Sequence, residues 1–515
     1  MDATNVKRRR RPSSPPPTAP PAPAVRSTSV AHQQPPTSDD DAALRVALAS
    51  VVRPVLDFDR EKVCSVTLSN LNVYACLTCG VLVQGRGPDS VAYAHALETG
   101  HPLYMHTTTT AAWMLPDGTP VPPALLADVA AVLRPRYAPA DIAGIDAAAA
   151  EAPGVDLAGN AYLRGVVGLN NLSATDGINA VLLALAHVRP LRDFALDDDA
   201  VAAAARSPLA SAFGAFVRKV WHGGNFKAHV SPHELVQVIA KLSRKRFRPG
   251  VPSDPLAFLV WFLNELARGI KLPKAQAKAL FADARSRLDG ELPAPAKLSR
   301  SLVDLLFRGK VTTRTEELEG GAAAVRGDWI PISVATVPFL FLALEVPNPP
   351  LYPSDKAAEL AHQVSLAQLL AKYDGVTPTH IGARRRKYII PQDGLPRFLV
   401  LHLDRSDAAG SGASGASGAS VTAPPPPSAA SAALPDTSAN ATVVNFPLDN
   451  LDMAPYLAPA AAVANSATTY ALLAAITHER EAGQASGTYA VTIAPASKPG
   501  EYFRVLDLDV TPLKA

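Results

Sequence analysis

Two cysteines and two histidines offer the clearest chemistry in the chain. The string CLTCG holds Cys76 and Cys79; fifteen residues separate Cys79 from His95, and five more separate His95 from His101. In C-x2-C…H-x5-H order, two thiolates and two imidazoles form a closed tetrahedral donor set of the kind that holds one structural zinc ion. A Cys-x-x-Cys turn sets both sulfurs on one side of a knuckle. YAHALETGH opens as a short helix, and a turn at Gly100 returns His101 toward His95. Two other readings stay open. One is a redox Cys-x-x-Cys, although no βαβ pattern frames it. The other is a pair of buried thiols beside two surface histidines. Cys64, the remaining cysteine, reads as a small buried hydrophobe.

A second stretch raises a different question. GLNNLSATDGINAVLLAL, residues 168–185, delivers Asp176 to the mouth of an apolar helix. A carboxylate suits the positive field of a helix N-terminus and predicts an N-cap that accepts backbone N–H groups. His187, His229, His233 and His478 lie elsewhere, none with a serine or cysteine at motif spacing. They read as structural or surface residues.

The elements that must position these groups change character along the chain. KRRRR at 7–11 runs into a proline-rich stretch, so residues 1–40 read as a disordered tail carrying an import signal or nucleic-acid contact, against a merely solvated tail. A compact region from 41 to 150 holds every cysteine and closes on LLADVAAVLRPRY, an amphipathic helix signal. Residues 160–515 begin helically, with INAVLLALAHV, SPHELVQVIAKLSRKRF and DPLAFLVWFLNELARGI. SPHE predicts a capping box of Ser231 and Glu234. Short strand-like runs follow: VPFLFLALEV, RFLVLHLD, TVVNFP, TYALLAAITHE, GTYAVTIAP and YFRVLDLDV. Helices first and strands later give an α+β class. The Gly/Ala/Ser/Pro run at 406–441 is flanked by strand signals and reads as a loop insertion.

The whole chain adds bounds. Its 515 residues suffice for two or three domains, and a net charge of +3 with 48% hydrophobic residues singles out no acidic partner. Three cysteines fit a reducing compartment rather than a disulfide framework. No apolar run of about twenty residues appears, and the N-terminus has no signal-peptide core, so no membrane partner is expected.

The string VLDFDREKVCSVTLSNLNVYACLTCGVLVQGRG…AYAHALETGHPLYMH resembles a UBP-type zinc finger. GLNNLSATDGINAVLLALAHVRPLRDF resembles the first box of the ubiquitin-specific proteases, Gly-Leu-x-Asn-Leu-Gly-Asn-Thr-Cys-Tyr-x-Asn. NFKAHVSPHE and LLAKYDG resemble one branch of that family, the protease-like splicing factors associated with the U4/U6.U5 tri-snRNP. The resemblance covers roughly residues 45–511 and implies a zinc finger followed by a papain-like protease fold. Laid over the sequence, the family pattern puts Asp176 at the nucleophilic cysteine and Ala174 at the asparagine that donates to the oxyanion. It puts Thr488 of SGTYAV at the histidine base and Leu506 of YFRVLDLDV, beside Asp507, at the orienting acid or amide. Loss of one oxyanion donor alone costs on the order of 10²-fold in rate. The resemblance therefore implies a protease shape without protease activity and with no catalytic residues.

It also implies the partners and the place of action. The expected function is a non-catalytic scaffold in the nucleus that supports pre-mRNA splicing through tri-snRNP assembly or stability. Tri-snRNP proteins are the expected partners, with snRNA contacted through the basic runs SRKRFR (243–248) and ARRRK (383–387), which read equally as solvated surface. Val81 stands where ubiquitin-binding fingers carry arginine, which argues against capture of ubiquitin's tail. Arg45 and Val91 stand where relatives of the branch show cysteine and histidine, which implies one zinc ion. Relatives are also expected to continue past the DLDVTPLKA ending. The alternatives are a ubiquitin-binding adaptor, or an active deubiquitinase with an unrecognised nucleophile.

Overall fold

The computed structural model describes residues 38–515 except 205–206, 277, 279–300, 320–327, 350–361, 382–383, 406–439, 441, 460–467, 480–486 and 514–515. The basic run at 7–11 and nearly all of the 406–441 insertion lie outside the described residues. Contacts divide the chain into two compact units, Met1–Ala49 and Ser50–Ala515. In the first, helix α1 (Ser38–Ala49) carries Arg45. Everything below belongs to the second.

The finger is a five-stranded antiparallel sheet in the order β2-β1-β3-β4-β5, made of β1 (Val73–Cys76), β2 (Leu82–Gln84), β3 (Leu103–His106), β4 (Ala112–Met114) and β5 (Thr119–Val121). Helix α2 (Val91–Thr99) connects β2 to β3. Its N-cap Ser90 accepts the Tyr93 amide, and Gly100 ends it in the left-handed conformation, φ 70°. That conformation costs glycine little and other residues more, and it forms the return predicted for His101. Cys64 is buried, as expected.

Three helices follow: α3 (Ala127–Leu133), α4 (Pro139–Ala143) and α5 (Ile145–Glu151). Two short parallel strands, β6 (Gly168–Leu169) and β7 (His229–Val230), then brace the approach to the helical region. That region comprises α6 (Asp176–Ala186), α7 (Arg189–Leu196), α8 (Asp198–Ala203), α9 (Pro208–Val220), α10 (His233–Leu242), α11 (Pro255–Gly269) and α12 (Leu302–Phe307). Helix α6 is buried nearly all round, so it is the axis of the core rather than a surface helix. Phe213 of α9 meets Phe262 of α11 edge to face, ring centres 5.5 Å apart.

The strands come next, as an α+β chain requires. One antiparallel sheet has the order β9-β8-β11-β10, from β8 (Gly309–Leu318), β9 (Trp329–Phe339), β10 (Thr379–Ile381) and β11 (Arg384–Ile389). The last sheet is a meander of β12 (Ala474–Glu479), β13 (Thr488–Ile493), β14 (Tyr502–Leu506) and β15 (Asp509–Leu513). Val491, Ile493 and Val505 of this meander join the core around α6. No helix among the described residues is long and apolar enough to cross a membrane.

The predicted capping box is not formed. Helix α10 starts at His233 behind Pro232, with no side-chain cap. Its two residues are used between finger and helices instead. The Ser231 amide donates to Asp59 at 2.8 Å, and Glu234 pairs with Lys62 at 2.9 Å. Lys219 of α9, nearly buried, completes this joint with Asp59 at 2.7 Å and the Phe58 carbonyl at 2.8 Å. A buried cation so placed needs both partners, which makes residues 57–62 a strap.

Candidate functional site

The cleft is built where α6, β13 and the end of β14 meet. Asn171 Oδ1 accepts the Thr175 amide at 3.0 Å, and Thr175 Oγ accepts the Leu172 amide at 2.9 Å. This clamp closes a tight loop in which Ser173 and Ala174 both take positive φ, 73° and 52°. Left-handed backbone at non-glycine residues costs about 1–2 kcal/mol each, so the clamp and the bond from the Gly250 amide to Ser173 hold a strained turn. Ala174 presents only a methyl group to it.

Asp176 is the first residue of α6, not its cap. The N-cap is Thr175, with no side-chain cap bond. Asp176 Oδ2 accepts the backbone N–H of Tyr489 at 2.7 Å, across 313 residues of chain. The expectation of an N-cap is thereby corrected: β13 offers the carboxylate an amide instead. Thr488, exposed at the start of β13, is the immediate neighbour of this bond. Leu506, half-buried, ends β14.

Four further residues complete the cleft: Tyr489, Asn171, Asp507 and Asn179. Tyr489 supplies the amide. Asn171 Nδ2 donates to Asp507 Oδ2 at 3.3 Å. Asp507 Oδ1 and Asn179 Oδ1 are buried without a hydrogen-bond partner. Burial raises the Asp507 carboxyl above the usual range, and the negative charges of Asp176 and Asp509 add to the rise. The cavity between Asp176, Asn179, Tyr489 and Asp507 has a volume of about 10 Å³, room for no more than a single water. Asn171 stood in the quoted box and Asp507 beside Leu506; nothing in the sequence marked Tyr489 as a partner.

The histidines keep structural places. His187 is buried, with Nε2 2.9 Å from the Gly165 carbonyl. His478 stacks against the Tyr489 ring at 4.6 Å. His233 faces Gln237 on the surface, and His229 lies in β7. All three cysteines of the chain lie at positions 64–79, in the finger.

In the finger, Cys76, Cys79, His95 and His101 converge, their ligand atoms all within 4.8 Å of one another. Cys76 Sγ is 3.5 Å from His101 Nδ1, and Cys79 Sγ is 3.4 Å from His95 Nε2. Zinc bonds of about 2.3 Å to sulfur and 2.0–2.1 Å to nitrogen, at tetrahedral angles, put sulfur and nitrogen about 3.5 Å apart. The cluster suits one zinc ion. Burial, with the Cys79 sulfur adding, pushes the Cys76 thiol up to about 11. A divalent cation reverses that preference by stabilising the thiolate. Burial and His101 lower His95, favouring the neutral ligand form. Val81 packs against the finger core rather than facing outward as a polar anchor.

The basic runs differ. On β11, Arg384 pairs with Glu317 at 3.2 Å, and Arg385 and Lys387 share Glu316 at 2.5 and 3.9 Å. In the turn after α10, Lys245, Arg246 and Arg248 are exposed and have no acidic partner among the described residues.

The description "Ubiquitin carboxyl-terminal hydrolase" matches residues 167–515, and "Zn-finger in ubiquitin-hydrolases and other protein" matches residues 64–125. The chain belongs to the ubiquitin carboxyl-terminal hydrolase family. Within it, the chain is 32% identical to ubiquitin carboxyl-terminal hydrolase 39 of Mus musculus, over 90% of this chain and 76% of that protein. It is also 32% identical to a probable mRNA-splicing protein of Schizosaccharomyces pombe, over 84% of this chain and 77% of that one. Among solved structures, the crystal structure of an essential yeast splicing factor superimposes with a TM-score of 0.62 at 23% identity, covering 91% of this chain and 95% of that chain. That likeness is one of fold: a UBP-type finger joined to the hydrolase architecture.

Proposed function

We propose that this chain is a pseudo-deubiquitinase serving as a non-catalytic scaffold in pre-mRNA splicing, acting in the nucleus on the U4/U6.U5 tri-snRNP. The observation that carries the reading is the Asp176–Tyr489 bond. In this proposal Asp176 occupies the nucleophile position, and its carboxylate is spent on the strand that bears Thr488 at the base position. Ala174 offers no donor to an oxyanion, and Leu506 offers nothing to orient a base. The splicing assignment is supported by the fission yeast relative named as a probable mRNA-splicing protein, and it extends to this chain as a proposal.

The same proposal divides the chain into a tail at 1–40, a finger at 41–150 and a protease-like domain at 160–515 interrupted at 406–441. It assigns Cys76, Cys79, His95 and His101 to one structural zinc. Tri-snRNP proteins are the proposed partners. Contact with snRNA is assigned to the turn at 243–248 rather than to β11, where Arg384 and Arg385 are engaged with Glu317 and Glu316.

Two measurements test it. Affinity purification from nuclear extract, with and without nuclease, is expected to recover U4, U5 and U6 RNAs; recovery of ubiquitin conjugates alone overturns the scaffold. A ubiquitin fluorogenic amide is expected to stay intact with the purified protein. Turnover that disappears on changing Asp176 overturns the pseudoenzyme.

A further inference from the structure

Between the connecting helices and the end of α9 lies a cavity of about 470 Å³ that shares no lining residue with the cleft. Its size falls within the range of small-ligand sites. Arg164, Arg136, Tyr137, Ile145, Trp221 and His222 are among its walls.

Arg164 is the unusual member. Its side chain is half-buried, and its Nε is fully buried without a hydrogen-bond partner. Among the described residues no carboxylate pairs with it. Fixed cations out of water ordinarily have a partner, because desolvation without one is costly. The position is nonetheless built. A Cβ on Gly223 would lie 2.4 Å from Arg164 Nε, so glycine is needed for the guanidinium to rest there. The loop beneath is pinned: Tyr162 Oη donates to the His222 carbonyl at 2.9 Å and accepts the Asn225 amide at 3.0 Å. Asn225 Nδ2 donates in turn to the Lys219 carbonyl at 2.8 Å.

The other charged groups set the sign. Arg136 is exposed, with Asp198 only at 3.9 Å. Asp141 faces the cavity, but one of its oxygens accepts the Ala138 amide at 2.9 Å. His222 Nδ1 accepts the Gly224 amide at 3.3 Å, which leaves Nε2 as the protonated nitrogen and a donor. Two guanidinium forks and one imidazole donor against a single engaged carboxylate make an anion site. Ile145 and Trp221 supply an apolar wall for whatever carries the anion.

We propose that this cavity binds a phosphoryl group, with Arg164 as its forked anchor, Arg136 at its mouth and His222 as a further donor. A tetrahedral dianion matches two forks approaching from different walls better than a lone carboxylate does. The group can arrive on a small phosphate monoester or on a phosphorylated protein side chain. The proposal stands independently of the splicing assignment.

The test uses the full chain loaded with zinc. Two probes are titrated: phenyl phosphate, and a phosphoserine peptide library with randomised flanks beside its unphosphorylated twin. Saturable, phosphate-dependent binding below about 1 mM by either probe is expected. Tighter binding of the library assigns a protein side chain as the source; binding of phenyl phosphate alone assigns a small monoester. R164Q is expected to weaken binding by about tenfold or more, and R164K, which keeps the charge without the fork, by an intermediate factor. R136Q, an exposed site with little bearing on folding, is expected to weaken it a few-fold. Absence of phosphate-dependent binding by both probes, or equal binding by R164Q and R136Q with melting temperature and zinc content unchanged, overturns the proposal.

Discussion

At the scale of single residues, Asp176 shows what a sequence pattern reveals and what it hides. The box that contains it was legible, because glycine, asparagine and threonine at fixed offsets specify a turn. Its partner was not, because the Tyr489 amide lies 313 residues away and a backbone donor leaves no mark in composition. The default expectation for an acid at a helix start is a cap; here a tertiary contact prevails over that local preference. Replacing Asp176 by alanine removes a charge-assisted bond between α6 and β13. A loss of about 1–2 kcal/mol is expected in urea denaturation. On the proposed assignment of the base and orienting positions to Thr488 and Leu506, which cannot take up a proton or orient a base, D176C is expected to release nothing from a ubiquitin fluorogenic amide. Measurable turnover by that variant would show that the rest of the machinery survives.

At the scale of elements, the finger was the most legible part. The four residues of its Cys/His cluster, the knuckle and the glycine turn are local in sequence, and local geometry brings them together. Metal analysis is expected to find one zinc per chain, lost in C79S or H101A. The ribbon of β8 and β9 was the least legible. KVTTRTEEL has no apolar alternation, and much of β9 is exposed, so a sheet with little core beneath it left no hydrophobic period to read. For the same reason β11 read as a charge run, although Arg385 and Arg384 are cross-strand partners of Glu316 and Glu317. The end of α6 carries a pH signature. Burial, reinforced by Arg192 and opposed by the bond to Gly165, pushes His187 down to about 4. The unfolded chain takes up this proton below its ordinary 6.5, whereas the folded chain resists until about 4. His187 therefore leaves stability intact above pH 6.5, erodes it between 6.5 and 4, and adds no further loss below. The erosion amounts to about 3 kcal/mol at most. H187Q keeps a donor for Gly165 and is expected to flatten the stability profile across that window, as followed by denaturant midpoints.

At the scale of the molecule, the α+β order was readable because helical and alternating periods occupy different halves of the chain. The joint between finger and helices was not. SPHE looked like a cap, but Ser231 and Glu234 serve the strap at 57–62, whose pairing with Lys219 spans about 160 residues. D59A strands a nearly buried ammonium and is expected to cost about 2–4 kcal/mol, against little for D57A, whose partner Lys227 is exposed. Because Phe58 and Asp59, on the segment that leads into the finger, grip Lys219 of α9, the metal and the helical core share one mechanical frame. Stripping the ion with a chelator should consequently be felt far from the sulfurs. Scanning calorimetry would register a single heat-absorption peak moving to lower temperature, not a small early peak splitting from an unmoved main one.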